Sequence, residues 1–301
     1  MIADNAHQSD VLLYFLAIFV PPVPVFIKRG CGADFLISIC LSILGWIPGV
    51  LLRNLALQYP ASALNTGPLL IYLTARDASR GQAALKTLEA DDQLLKAKVL
   101  QAQGGPVSLA FKELDVSKNA SIDAFARDLQ QAHGSIDVVI NNAGIAMDGF
   151  DATIATTTLA TNYHGTLHAT LALLPLLAPA RTSRLINIAS IAGSLSKYPS
   201  ALASRFRAAA TPSPPPAPPA SAATTLMSEF ATAVADGSHK ARGFPSAAYA
   251  VSKAGLIAAT KAVAAWESEK AGEEGREKRG VQACSICSLI YLNNDCDVLF
   301  Y

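Results

Sequence analysis

Residues 136–144 read Ile136-Asp-Val-Val-Ile-Asn-Asn-Ala-Gly144. Four of the first five are β-branched, which favours a pleated strand over a helix. The Asn-Asn-Ala-Gly that follows is turn chemistry and ends the strand. Working outward, Ser117 is expected to cap a helix running to His133, and 153–178 reads as helix again. Short apolar runs at 69–75, 107–114 and 184–189 read as further strands, with Val281–Ile290 as a last one. Ser79–Gln103 has helical apolar spacing and a Gly104-Gly105 stop; Ser246–Lys270 is a long helix. Strands alternating with helices predict an α/β fold, a parallel sheet wound on both faces.

The chain has 301 residues, enough for one large domain or one domain with an appendage. A net charge of +1 gives no electrostatic case for nucleic acid. Cys284 and Cys287 form a Cys-x-x-Cys, but no second pair or nearby His completes a zinc site, so no metal is expected. Thr211–Ala220 reads Thr-Pro-Ser-Pro-Pro-Pro-Ala-Pro-Pro-Ala. Proline this dense predicts an extended, mobile loop.

Ahead of this body the composition changes. Residues 11–27 carry no charge, Lys28 and Arg29 follow, and in 33–52 the charge is Asp34 at the edge. A span needs about 20 apolar residues, and about 17 at the short end, so both runs predict a two-helix transmembrane hairpin. Pro21, Pro22 and Pro24 should kink the first helix. A signal peptide fits poorly, because the residues before Val11 include Asp4 and Asp10 and no Lys or Arg. Lys28 and Arg29 put the hairpin loop inside by the positive-inside rule. The wording of 8–50, with Leu12-Leu-Tyr-Phe-Leu-Ala-Ile-Phe-Val-Pro-Pro-Val-Pro-Val-Phe26 and Leu41-Ser-Ile-Leu-Gly-Trp-Ile-Pro-Gly-Val50, resembles the plasma membrane proteolipid 3 family. That resemblance implies a membrane location and a link to membrane potential.

The body, about 53–283, resembles the carbonyl-reductase-type short-chain dehydrogenases/reductases. The motifs stand in order: Thr74-Ala-Arg-Asp77, Leu114-Asp-Val116, Asn141-Asn-Ala-Gly144, Thr161-Asn-Tyr163, Asn187-Ile-Ala-Ser190 and Tyr249-x-x-x-Lys253. The resemblance implies a Rossmann-like sheet, a small carbonyl substrate and NADP(H). It makes Tyr249 the proton donor, Ser190 a ligand of the substrate oxygen and Asn162 the holder of a relay water. Lys253 lies one helical turn from Tyr249, where a cation favours the ionised phenol; it would also hold the nicotinamide ribose. Arg76, at a strand end, would accommodate a 2′-phosphate. Asp115 would contact the adenine, and Asn141, Ala143 and Gly144 would line the adenosine side.

One part of that pattern is missing. The family's glycine-rich phosphate loop should lie near 41–48, ahead of Arg53-Asn-Leu-Ala-Leu-Gln-Tyr-Pro60, which looks like the end of the first helix. The chain there reads Leu41-Ser-Ile-Leu-Gly-Trp-Ile-Pro48, with Trp46 where a small residue is required. The first strand, central in that family, goes with the loop; the sheet must then close up, recruit 41–47 or stay split. Residues 33–59 are expected as one long helix or a kinked pair.

The expected organisation is a hairpin at 1–52 and an incomplete doubly wound body at 53–301. Three functions fit: a membrane-associated NADPH-dependent carbonyl reductase, a proteolipid carrying an inactive reductase-derived body, or a binding module using old dimer helices. The implied partners are a bilayer at 11–27 and 33–52, a small carbonyl compound and a second copy of the chain.

Overall fold

The computed structural model describes residues 49, 51–62, 65, 67–180, 183–274 and 280–284. These fall into two compact units, one of residues up to 74 with 78–112, the other of 75–77 with 113 onward. The two apolar runs, apart from Gly49, Leu51 and Leu52, lie outside the described residues, as do the expected helix over 33–48 and any strand at 41–47. Among the described residues no helix is long and apolar enough to cross a membrane.

In the first unit a helix at 51–58 (α1) is followed by β1 (Leu69–Ala75), α2 (Ala78–Glu89), α3 (Asp92–Ala97) and β2 (Val107–Glu113). The single helix expected over 79–103 is broken at Asp91. Its carboxylate accepts from the Gln93 and Leu94 amides, which starts a new helix there. Leu69 N–H donates to Pro106 O and Leu114 N–H to Ala75 O, so β1 and β2 are parallel. Their core is Ala56, Leu94, Val99, Leu100 and Val107. Arg53 reaches Asp91 at 3.7 Å, and the Tyr59 hydroxyl donates to Gly67 O.

The second unit holds α4 (Asn119–His133), β3 (Val138–Asn141), α5 (Ala152–Leu159), a π-turn (Ala160–Gly165), α6 (Thr166–Leu173) and β4 (Arg184–Ile188). It continues with α7 (Ser200–Ala208), α8 (Ser221–Ala235), α9 (Ala248–Glu273) and β5 (Gly280–Cys284). Strands β3, β4 and β5 pair in that order, all parallel. The four strand positions expected from sequence are therefore occupied, and the described strands form two separate sheets. Residues 285–290 of the expected last strand lie outside the described residues.

Four local expectations need correction. Ser117 does not cap α4: its hydroxyl donates to Asp115, and Lys118 stands at the cap without a side-chain bond. The helix expected over 153–178 is interrupted by the π-turn. Helices α7 and α8 stand where no element was expected. The proline-rich loop is not extended: Ser213 N–H donates to Pro219 O, and the Ala222 amide donates to Ser213 Oγ. That closes the loop onto the start of α8. Helix α8 buries Ala223, Leu226, Met227, Phe230 and Ala233, one face at helical spacing, in the same core as Leu185, Phe206, Phe244 and Val251.

Candidate active site

The site lies at the carboxyl ends of β3 and β4, where parallel sheets present their ligand crevice. Beneath it is a buried polar lattice. Asn141 Nδ2 donates to Asn187 Oδ1 at 2.9 Å, and Asn187 Nδ2 donates to Thr260 Oγ1 at 2.9 Å. Thr170 Oγ1 lies 3.1 Å from Asn187 Oδ1. Two strands and two helices are thus joined by satisfied groups, which fixes the strand ends that carry the site.

After β3 the chain turns at Gly144. A Cβ there would stand 3.3 Å from Asn162 Oδ1 and 3.6 Å from Lys253 Nζ, so glycine leaves the space beside both groups open. Asn162 is fully buried within the π-turn, a helix defect frequent at functional sites. Its Oδ1 accepts from Ile145 N–H at 2.7 Å. Its Nδ2 donates to Ile145 O at 2.8 Å and to Ser252 Oγ at 3.2 Å. Ser252 in turn donates to Tyr249 O at 2.7 Å.

Lys253 is 1% exposed, and its Nζ donates to Ile188 O at 2.7 Å. Burial pulls its pKa down from 10.5 to about 8. The same Nζ lies 5.7 Å from the centroid of the Tyr249 ring. Ser190 is buried two residues beyond Ile188, and its Oγ accepts from Ala192 N–H at 3.2 Å. That bond leaves the hydroxyl proton available to an oxygen in the crevice. The turn Ile191–Gly193 packs onto α9 so closely that a Cβ on Gly193 would lie 2.8 Å from Ala254 N.

Lys253, Asn162 and Gly144 are therefore brought together, with the Tyr249 ring beside Lys253, Ser190 two residues beyond the carbonyl that Lys253 bonds, and Asn141 in the layer beneath. Ala143 is exposed in the turn after β3, and Arg76 is exposed after β1. The Asp115 carboxylate is held below its ordinary pKa chiefly by the Ser117 hydroxyl, and Lys118 lies 3.2 Å from it. Among the described residues neither Arg76 nor Asp115 bonds to the cluster. Sequence reasoning missed Ser252, which sits inside the quoted Tyr249-x-x-x-Lys253. It also missed Asn142, whose Oδ1 is buried with no hydrogen-bond partner. Thr170 and Thr260 carry no local signal; their roles arise from contacts made across the fold.

The short chain dehydrogenase family model matches residues 71–208, and the proteolipid membrane potential modulator family model matches residues 10–51. Carbonyl reductase [NADPH] 1 of Bos taurus is 32% identical over 220 residues, 71% of this chain and 70% of that protein. The Homo sapiens carbonyl reductase [NADPH] 1 is 34% identical over 192 residues, 62% of this chain and 61% of that protein. Among solved structures, menthone neomenthol reductase from Mentha piperita has a TM-score of 0.54 at 22% identity, covering 71% of this chain and 79% of its own. Salutaridine reductase from Papaver somniferum has a TM-score of 0.53 at 20% identity, covering 70% and 82%; these two speak for the fold. With a bovine relative 32% identical and covered over 70% of its length, the chain belongs to the short-chain dehydrogenase family.

Proposed function

We propose that the chain is a membrane-associated, NADPH-dependent carbonyl reductase with a weakened cofactor site, divided into a membrane hairpin at 1–52 and a reductase body at 53–301. The observation that carries this reading is the meeting of Lys253 Nζ and Asn162 Oδ1 beside Gly144, with the Tyr249 ring next to Lys253. The residues present fit one half of the cofactor. Gly144 keeps space open beside Lys253 Nζ, and the unpartnered Asn142 Oδ1 asks for a donor. They do not fit the other half: the sequence ahead of α1 has no Gly-x-x-x-Gly-x-Gly to receive a pyrophosphate. Arg76 supports a preference for the 2′-phosphate.

When bound, the nicotinamide supplies hydride to a carbonyl carbon. Ser190 would donate a hydrogen bond to the carbonyl oxygen, and Tyr249 would give that oxygen its proton. Lys253, an ammonium below about pH 8, stabilises the phenolate that remains. Asn162 holds the Ile145 backbone and Ser252, and so the frame around the proton donor. The bilayer partner rests on the proteolipid match at 10–51.

Reduction of an apolar quinone or aldehyde by the detergent-solubilised chain tests the reading at millimolar NADPH, which compensates for a weak site. Turnover that Tyr249→Phe abolishes is expected. A rate equal to that of buffer alone would favour the second reading, a proteolipid carrying an inert body, which the proteolipid match supports.

A further inference from the structure

Tyr163 follows Asn162 in the π-turn and is completely buried. Its hydroxyl lies 2.9 Å from Thr224 Oγ1, in the first turn of α8. Thr224 Oγ1 also donates to Ala220 O at 3.1 Å. A threonine hydroxyl has one proton, so Tyr163 is the donor in its pair with Thr224. The start of α8 is held by the proline-rich loop through Ser213, which meets both Pro219 O and Ala222 N–H. From Asn162 the bonds continue to Ile145 on one side and through Ser252 to Tyr249 O on the other.

We propose that Tyr163 is a positioning residue, whose hydrogen bond to Thr224 makes the start of α8 set the π-turn and hence the aim of the Asn162 amide. The role as a frame for catalysis rests on the reductase reading; the mechanical coupling does not. A π-turn carries one more residue than the helix around it, and competes with a plain α-helix that would turn Asn162 away from Ile145. In the observed register the Tyr163 hydroxyl meets Thr224, and a shift to plain α-helix would part them. Burial holds this phenol in its protonated, donating form by raising its pKa.

Amide exchange of the full chain in detergent, followed by NMR, tests the coupling, because Ile145 N–H is bonded to Asn162 Oδ1. Tyr163→Phe keeps the ring and leaves Thr224 bonded to Ala220. It should speed exchange at Ile145 about tenfold, the loss of one hydrogen bond of ordinary strength, while the β4 amides of Ile186 and Ile188 keep their rates. Thr224→Val should reproduce this, Thr224→Ser should restore protection, and the double variant should add nothing to either single one. Where turnover is measured, kcat should fall with KM unchanged. Unchanged Ile145 exchange in Tyr163→Phe, or a rise shared equally by the β4 amides, overturns the proposal. An Ile145 effect in a chain without turnover sinks the reductase reading and leaves the coupling standing.

Discussion

Lys253 shows how burial sets chemistry at one residue. Its folded pKa lies near 8 and its unfolded value near 10.5, so the unfolded chain binds more protons between those values. Stability from this group therefore rises with pH through that window, and below about pH 8 the buried ammonium costs the fold on the order of 3 kcal/mol. Lys253→Met removes this cost along with the bond to Ile188 O. In thermal unfolding the variant should gain on the parent below pH 8, and the gain should shrink as pH rises toward 10.5. A difference that is flat with pH would contradict the assignment. Residue identities at the site were legible because they sit in short motifs. Their partners were not: Asn162 meets Ser252 from 90 residues away and Asn187 meets Thr260 from 73. Such pairs exist only once the layers have closed.

At the scale of elements, the strands were legible because each is a short β-branched or leucine-rich run bounded by turns. Helices α7 and α8 were not. Their buried faces interleave Leu202, Phe206, Leu226, Met227 and Phe230 with Ala203, Ala223 and Ala233, which contrast little with the Ala-Ser-Thr residues around them, and the segment between them, 209–220, is rich in proline. The structure makes them part of the core. Phe230 on α8 is fully buried, 5.3 Å from the Phe244 ring and 6.3 Å from the Phe150 ring. Phe230→Ala should cost about 3–5 kcal/mol, the usual result of emptying a buried aromatic site. A loss below about 1 kcal/mol in the unfolding of the body would show α7 and α8 to be an appendage instead. The π-turn was equally hidden. Asn162 and Gly165 are weak helix formers but do not by themselves mark a π-turn; a Cβ on Gly165 would meet Val116 O, a backbone approach visible only after folding.

At the scale of the whole molecule, the described strands of the body form two parallel sheets, β1-β2 and β3-β4-β5. Of the three outcomes the sequence left open, recruitment of 41–47 lies outside the described residues. The proline-rich loop, expected to extend, instead clasps α8, because Ser213 offers both a donor and an acceptor where the prolines offer no N–H. The proposed function then turns on an imbalance: Lys253, Asn162 and Gly144 are assembled, while the sequence ahead of α1 offers no glycine loop for a pyrophosphate. Charge-assisted bonds from backbone amides are worth about 1.5–3 kcal/mol each. Losing two would weaken a site of ~1 µM to ~100 µM or beyond, at about 1.4 kcal/mol per decade. NADPH titration of the purified chain in detergent, followed by nicotinamide fluorescence, tests this most directly. The account predicts a Kd of ~100 µM or weaker, with turnover appearing only at high cofactor. Saturation at low micromolar NADPH would contradict it, and would mean that the chain builds a phosphate site from residues other than a glycine loop.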